Sequence, residues 1–230
     1  MAEMGLGYGS EYQLMRFLGH HRDLLNKLIL EAVKTHGNIE WIDFHFDSQK
    51  DSGDGEWKGI TCFSKLKNYS EIKLEWKKFW PQRGTAMNWD GIFRIGDTWY
   101  FLEAKAHKSE SFQNCSAKSE ESIATIENAF IETQRWLKLK DQKKWIESNC
   151  YQLANRLAFL CFCEKCGIKA RLVYIGFVNG FRNHIGEVHS VKEWMEIWEN
   201  ELDELGLKLE EMTPFISFVH PNCDPKRKNK

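Results

Sequence analysis

The sequence has no excess of charge of either sign. Its 32 lysine and arginine residues face 33 aspartate and glutamate residues, so the formal net charge is −1. The pI is about 6.7. A chain with this balance does not attract nucleic acid as a bulk polycation. Any binding to nucleic acid must therefore use a local basic patch.

Long apolar runs are also missing. No run approaches the ~20 residues that are needed to cross a bilayer. The first residues, MAEMGLGYGSEYQL, lack the basic start and apolar core of a signal peptide. The seven cysteines are an odd number, in a chain long enough to fold without disulfides. We therefore expect a cytoplasmic protein with free thiols and no membrane contact.

Several common catalytic motifs are missing as well. The chain has no glycine-rich phosphate loop, no G-x-S-x-G and no H-E-x-x-H. Cys161, Cys163 and Cys166 form C-x-C-x-x-C, which together with Cys150 or Cys223 could hold zinc in a structural domain. The trio falls at the apolar end of a predicted helix, where cysteine behaves as a small hydrophobic residue. We favour this second interpretation.

Apolar residues, in contrast, make up 42% of the chain, and ten tryptophans and fifteen phenylalanines are among the aromatic residues. This content is enough for a core, and 230 residues fit one domain. We expect a core at about 10–178 and a C-terminal helical extension at 187–230. The predicted order of helix, several strands, two helices, strand and helix indicates an α/β fold with a mixed central sheet flanked by helices.

Hydrophobic periodicity predicts the individual elements. A capping box at Ser10-Glu11-Tyr12-Gln13 begins the first helix, which ends at Gly37-Asn38 and can break at Gly19. Strands are predicted at 39–46, 57–63, 69–76, 170–178 and 214–220, and further helices at 119–140, 145–166 and 191–205.

The most distinctive stretch is residues 86–107, AMNWDGIFRIGDTWYFLEAKAH. Two apolar-rich runs meet at a Gly/Asp turn, so we expect a hairpin. Strand alternation places Glu103 and Lys105 on one face, where Asp90 can reach them from the partner strand. Two close carboxylates repel each other unless a cation lies between them. With a backbone carbonyl they suit Mg²⁺ or Mn²⁺, which can activate water and bind a phosphoryl oxygen.

The triplet acid-x-Lys is weak evidence by itself. An alternative interpretation makes Glu103 and Lys105 a surface ion pair and Asp90 a turn residue. Apolar neighbours on both sides of Glu103 argue against this, because burying an unpaired charge is costly. Of the six acidic residues that begin such a triplet, only Glu103 ends a strongly apolar strand that follows a strand with an aspartate. The triplet occurs at Glu56, Glu71, Glu75, Glu103, Asp141 and Asp224.

WDGIF followed by WYFLEAK resembles the PD-(D/E)xK nuclease superfamily, in which an Asp starts one strand of a hairpin and (D/E)-x-K lies on the next. The element order resembles its restriction-endonuclease-like three-layer core from about residue 10 to 178. The resemblance implies Asp90, Glu103 and the Ala104 backbone carbonyl as metal ligands, with Lys105 beside the attacking water. Trp89 replaces the motif's proline, which supplies neither a ligand nor a proton.

The resemblance also points to two accessory residues. Many members carry an acid on the first core helix, which makes Glu11 a candidate metal ligand; a first-turn glutamate is also favoured by the helix dipole alone. Some members place a glutamine on the helix beside the site, which makes Gln152 a candidate catalytic residue. Arg156 lies one turn later on the same face, and an ordinary solvated face is the alternative for both.

Basic residues around the hairpin are candidate nucleic-acid contacts. Lys78 and Arg83 precede it among other lysines and the rings of Trp76, Phe79 and Trp80, a pattern that fits a nucleic-acid groove. The charged outer face of a strand is the alternative for many of these lysines. We add Lys118 and Arg156 as phosphate contacts, with a flexible surface lysine as the alternative for Lys118.

These observations predict a Mg²⁺- or Mn²⁺-dependent phosphodiesterase that hydrolyses DNA, in restriction, phage defence or repair. RNA as the substrate, a homodimer and a separate targeting subunit stay open. The alternative function is a catalytically inactive, nuclease-like fold that binds nucleic acid or a partner protein.

Overall fold

The computed structural model describes residues 9–42, 57–82, 87–181 and 185–224. Within these ranges the helices are α1 Ser10–His20, α2 Arg22–Val33, α3 Tyr69–Phe79, α4 Glu120–Trp136, α5 Tyr151–Lys165, α6 Val191–Leu205 and α7 Leu209–Met212. The strands are β1 Glu40–Trp41, β2 Trp57–Lys58, β3 Asn88–Trp89, β4 Gly91–Ile95, β5 Thr98–Lys105, β6 Ala170–Gly176 and β7 Ile216–Val219. Short 3₁₀ helices lie at Thr61–Lys65, Lys108–Ser111 and Trp145–Glu147.

Five strands form one mixed sheet in the order β1-β4-β5-β6-β7. β4 is antiparallel to β1 and to β5, whereas β5, β6 and β7 are parallel to each other. The parallel step from β5 to β6 needs a long crossover, which α4 and α5 supply. β2 and β3 form a separate two-stranded ribbon. The predicted α/β fold with a mixed, helix-flanked sheet is confirmed.

The two faces of β5 belong to two different cores, as its alternation predicts. Tyr100, Leu102 and Ala104 pack with α1 and α2. Trp99 and Phe101 pack on the opposite face with α3, α4, α5 and α6. Because Glu103 and Lys105 follow in the same alternation, they lie on this second face, on the side that α5 covers.

α6 and β7 continue the sheet and its helical layer. β7 pairs with β6, and α6 lies so close to β6 that a Cβ atom at Gly176 would come within 2.6 Å of the Trp194 ring. A glycine is needed there because the indole lies directly on the backbone. The C-terminal residues therefore cover the same face of the sheet that holds Glu103 and Lys105.

The turn at 95–97, the helix at 191–205, the central strand at 170–178 and the last strand at 214–220 are confirmed, the strands with shorter bounds. The strand predicted at 69–76 is wrong, because this segment belongs to helix α3. Ile72, Trp76 and Phe79 face the core, whereas Leu74, which alternation would bury, is 59% exposed. Apolar residues four positions apart, such as Ile72 and Trp76, fit both the period of 2 of a strand and the period of 3.6 of a helix. The pattern therefore does not distinguish a strand from a helix in this segment.

Other boundaries also differ. The first helix breaks at His21, not at Gly19, and Gly9 is its N-cap; the Ser10 hydroxyl bonds Glu110, so no capping box forms there. Only Trp57–Lys58 is a strand in the 57–63 segment, and α5 begins at Tyr151. For the strand predicted at 39–46 the structure has Glu40–Trp41, and residues 43–46 lie outside the described ranges.

No helix in the described ranges is both long and apolar enough to cross a membrane. The seven cysteines are all unpaired. Cys161 and Cys163 lie buried within α5, and burial raises the pKa of the Cys161 thiol to about 11. A thiol in such surroundings stays protonated and packs as an apolar group.

Candidate functional site

Asp90 lies immediately before β4, opposite Glu103. Gly91 pairs with Leu102, so continuing the antiparallel register by one residue places Asp90 across from Glu103. The Asp90 amide donates to the Leu102 carbonyl over 3.2 Å. The Ala104 amide in turn donates to Oδ2 of Asp90 over 2.7 Å. The hairpin therefore brings the first aspartate of the predicted motif to the middle of the acid-x-Lys triplet.

Glu103 is buried and accepts four hydrogen bonds. Its Oε1 accepts from Nζ of Lys105 at 2.7 Å and from Nε2 of Gln152 at 2.8 Å. Its Oε2 accepts from Nε and Nη2 of Arg156 at 3.0 and 2.8 Å. Only 4% of the Glu103 side chain is exposed. Two bonds on each oxygen use the full acceptor capacity of the carboxylate.

Gln152 links Glu103 to Lys105. Its Nε2 donates to Glu103, and its Oε1 accepts from Lys105 Nζ at 2.6 Å. The three side chains thus form a closed ring of hydrogen bonds between β5 and the first turn of α5. This ring fixes the ammonium group, because both of its acceptors are themselves held.

Arg156 ties the same carboxylate to the strand before Asp90. Beyond its bonds to Glu103, Nη2 donates to the Asn88 carbonyl at 2.7 Å, and the guanidinium lies 4.5 Å from the ring centroid of Trp89. The side chain is 5% exposed. Arg156 was predicted to contact phosphate, but the structure places its donors on protein groups inside the site.

The charges around the trio are unevenly distributed. Burial, together with the nearby charge of Glu103, raises the pKa of Asp90 to about 8, despite the opposing effect of Lys105. Burial also acts to raise the pKa of Glu103, but the charges and hydrogen bonds of Lys105 and Arg156 outweigh it and hold that pKa below its ordinary value. The positive charges of Lys105 and Arg156 therefore favour the ionised form of Glu103. They are not enough to favour the ionised form of Asp90 as well.

The donor set fits a hard divalent cation. Oδ1 of Asp90 accepts no hydrogen bond from the described residues, and the Ala104 carbonyl points to the same edge of β5 as the Ala104 amide that Asp90 binds. Two carboxylates and one carbonyl suit Mg²⁺, which keeps several water ligands. Its charge would offset the burial and the repulsion by Glu103 that raise the pKa of Asp90. Glu103 must first release one of its partners.

Glu11 is not brought into this set. It lies in the first turn of α1, where its neighbour Ser10 contacts Glu110. Within the described ranges no group of three or more His, Cys, Asp or Glu side chains could bind a metal ion, so Glu11 does not form such a group with Asp90 and Glu103.

The predicted nucleic-acid contacts are spread over the molecule. Lys78 is exposed at the end of α3 and pairs with Glu75 at 2.6 Å. Lys118 is exposed before α4, and Arg83 lies outside the described residues. The rings expected to stack on bases, Trp76, Phe79 and Trp80, are buried in the core. Their expected role as a stacking surface is therefore wrong.

Sequence reasoning missed Glu201, a buried glutamate on α6. Its position was readable in principle, because Glu201 follows Trp194 by seven residues and Trp198 by three. It therefore falls on the apolar stripe of the helix, where an acidic residue is out of place.

No protein-family model, curated protein sequence or solved structure matches this chain.

Proposed function

We propose that the protein is a Mg²⁺- or Mn²⁺-dependent phosphodiesterase of the PD-(D/E)xK type that hydrolyses DNA. The observation that carries this proposal is the position of the Lys105 ammonium group. Glu103 and Gln152 hold it on the strand opposite Asp90. An ion pair with only a structural role does not need a second carboxylate across the strand. In the proposed hydrolysis both carboxylates have a use, because together they would hold the cation.

The arrangement of the elements supports a restriction-endonuclease-like fold. A helical segment, α1 and α2, precedes the antiparallel strands β1, β4 and β5, and the β2-β3 ribbon and α3 are inserted between β1 and β4. Two helices then cross over to β6, which is parallel to β5. This is the core order that the superfamily resemblance implies for residues 10–178, and it places the hairpin at the centre of the sheet.

In this mechanism Asp90, Glu103 and the Ala104 carbonyl would hold the metal ion. When bound, Mg²⁺ would supply Lewis-acid chemistry to the phosphoryl oxygen and would make water a better nucleophile. Lys105 would orient the water whose oxygen bonds to phosphorus in line. The bond from phosphorus to the leaving oxygen breaks, the proton that the water loses passes to solvent, and the leaving oxygen takes up a proton from solvent. Lys105 also stabilises the negative charge that grows on the phosphoryl group. Gln152 keeps the ammonium group in place during this step.

Plasmid nicking in the presence of Mg²⁺ or Mn²⁺ tests the proposal. Asp90→Asn and Lys105→Met should each lower the cleavage rate by about 10²-fold or more, because each removes a group that acts on the transition state. Glu71→Gln and Lys73→Met are matched controls, since they alter another acid-x-Lys triplet on the exposed face of α3. Equal cleavage by Lys105→Met and wild type would refute the proposed chemistry.

A second function is favoured by the four hydrogen bonds on Glu103 and by its burial. If Arg156 and Lys105 never release this carboxylate, the fold serves to bind nucleic acid or a partner protein. Calorimetry distinguishes the two functions. Absence of Mn²⁺ binding together with retained DNA binding supports the binding module, whereas Mn²⁺ binding that is lost in Asp90→Asn supports the enzyme.

A further inference from the structure

Glu201 is a buried carboxylate that the proposed mechanism does not use. It is 2% exposed, and its Oε1 accepts no hydrogen bond from the described part of the chain. An unsatisfied buried carboxylate oxygen is costly. Such a group calls for an explanation, and a partner gained in another state of the site is one.

Two contacts of α6 place Glu201 beside the candidate site. Trp198, one turn before Glu201, packs edge-on against Tyr174 with ring centroids 5.3 Å apart, and Tyr174 is the register neighbour of Glu103. α6 also packs against the 3₁₀ helix Lys108–Ser111, which follows β5 directly. Glu201 therefore lies over the end of β5 that carries Glu103 and Lys105.

Electrostatics connect Glu201 to the same two residues. Burial raises the pKa of Glu201 to about 8, the Ser111 hydroxyl and the Lys105 charge act to lower it, and the Glu103 charge acts to raise it. In its ionised form Glu201 thus attracts Lys105 and repels Glu103. A cation at Lys105 is the group that Glu201 is placed to stabilise.

Lys105 has capacity for a further acceptor. An ammonium group has three N–H donors, and Lys105 directs two of them to Glu103 and Gln152. Glu103, in contrast, has no free acceptor site and must give up a hydrogen bond before it can bind a metal ion. If it gives up Lys105, the buried ammonium group loses the one carboxylate that it contacts among the described residues, which is unfavourable unless another carboxylate replaces it.

We infer that Glu201 is a positioning residue that takes over the Lys105 ammonium group when Glu103 turns toward the metal ion. The inference rests on the proposed metal site. The exchange moves no covalent bond: one carboxylate replaces another as the partner of a lysine. It keeps the Lys105 side chain paired with a carboxylate and aligned while Glu103 becomes a ligand.

Glu201→Gln tests this exchange, because it keeps the shape of the side chain and removes its ability to ionise. We expect Mn²⁺ to bind the variant about tenfold more weakly in calorimetry. Thermal unfolding at pH 8 should show equal or higher stability, because the variant no longer buries a costly carboxylate. Weaker binding in a more stable protein is not the result of structural damage. Glu199→Gln, on the exposed side of α6, is the matched control.

A double-mutant cycle with Lys105→Met separates action through Lys105 from a general effect of charge. In the Lys105→Met background, Glu201→Gln should leave Mn²⁺ affinity unchanged; an equal loss in both backgrounds overturns the inference. Unchanged affinity in Glu201→Gln alone overturns it even if Lys105→Met fails to fold. If wild type binds no Mn²⁺, both the proposed metal site and the role of Glu201 are refuted. If wild type and Glu201→Gln bind Mn²⁺ equally well, only the role of Glu201 is refuted.

Discussion

Arg156 directs two donors, Nε and Nη2, to a single oxygen of Glu103. The same guanidinium group donates to the Asn88 carbonyl and lies over the ring of Trp89, immediately before Asp90. One buried side chain thus joins the strand that leads into Asp90 to the strand of the acid-x-Lys triplet. The distance between Asp90 and Glu103 depends on this connection through Arg156.

Arg156→Lys should destabilise the fold although it keeps the charge. Lysine lacks the planar fork that serves Glu103 and Asn88 together, so a buried acceptor is left unpaired. We expect a loss of about 3 kcal/mol in the free energy of unfolding, measured by urea denaturation. The exposed Arg135→Lys on α4 is the control. A loss below about 1 kcal/mol would show that Arg156 does not hold the two strands together.

For the proposed DNA hydrolysis, Gln152→Ala should lower kcat while KM stays nearly constant. The substitution leaves Lys105 and Glu103 in place but removes the side chain that bonds both of them. The ammonium group then samples unproductive positions, and we expect a decrease of about tenfold or more. Steady-state kinetics measures the two constants separately, and the exposed Gln142→Ala is the control. A rise in KM at constant kcat contradicts a positioning role.

His220 should make the fold sensitive to acid. Its Nε2 accepts from the Trp198 indole at 3.3 Å, and burial lowers its pKa from 6.5 to about 4. Between these values the unfolded chain binds a proton that the folded protein does not. The resulting stabilisation is complete above pH 6.5 and is lost as the pH falls toward 4, by at most about 3 kcal/mol.

The measurement is the free energy of unfolding of wild type and His220→Gln between pH 7 and pH 4.5. The variant should lose less stability over this range, because glutamine can accept from Trp198 and does not titrate. The exposed His36→Gln should follow wild type. Parallel curves for wild type and His220→Gln would exclude His220 as the source of the acid sensitivity.

Gly176→Ala and Gly19→Ala should act in opposite directions. A Cβ at Gly176 meets the Trp194 ring at 2.6 Å, so α6 must shift, and we expect a loss of about 1–3 kcal/mol. A Cβ at Gly19 meets nothing within 4 Å, and alanine is the better helix former by about 0.5–1 kcal/mol. Thermal unfolding of both variants checks the pair. A Gly176→Ala protein as stable as wild type would mean that α6 does not lie directly on β6.

The hairpin could be predicted from the sequence because its information is local. Alternation assigned the two faces of β5, and Gly96 marked the turn, where its φ of 58° suits a residue without a Cβ. The register that brings Asp90 opposite Glu103 then follows from the turn and the pairing. Likewise, the apolar run of β6 and the caps of α6, Ser190 and Gly206, are local signals.

Helix α3 shows where local information ends. Ile72, Leu74 and Trp76 alternate like a strand, yet the segment is helical, and Phe79 completes the face that packs against Phe162 of α5. Only the shape of the surface opposite decides between the two periods, because both bury Ile72 and Trp76. That surface is built by residues about 80 positions later in the chain.

The sequence by itself therefore determined the α/β class, the hairpin and the side of the sheet that carries Glu103 and Lys105, since these depend on alternation and turn chemistry. Tertiary structure decided what those residues contact. Gln152 and Arg156 reach Glu103 because α5 crosses the sheet above β5, and Glu201 arrives from α6, nearly a hundred residues beyond Lys105. Burial, which turns these contacts into pKa changes and fixed geometry, exists only after the helices have packed.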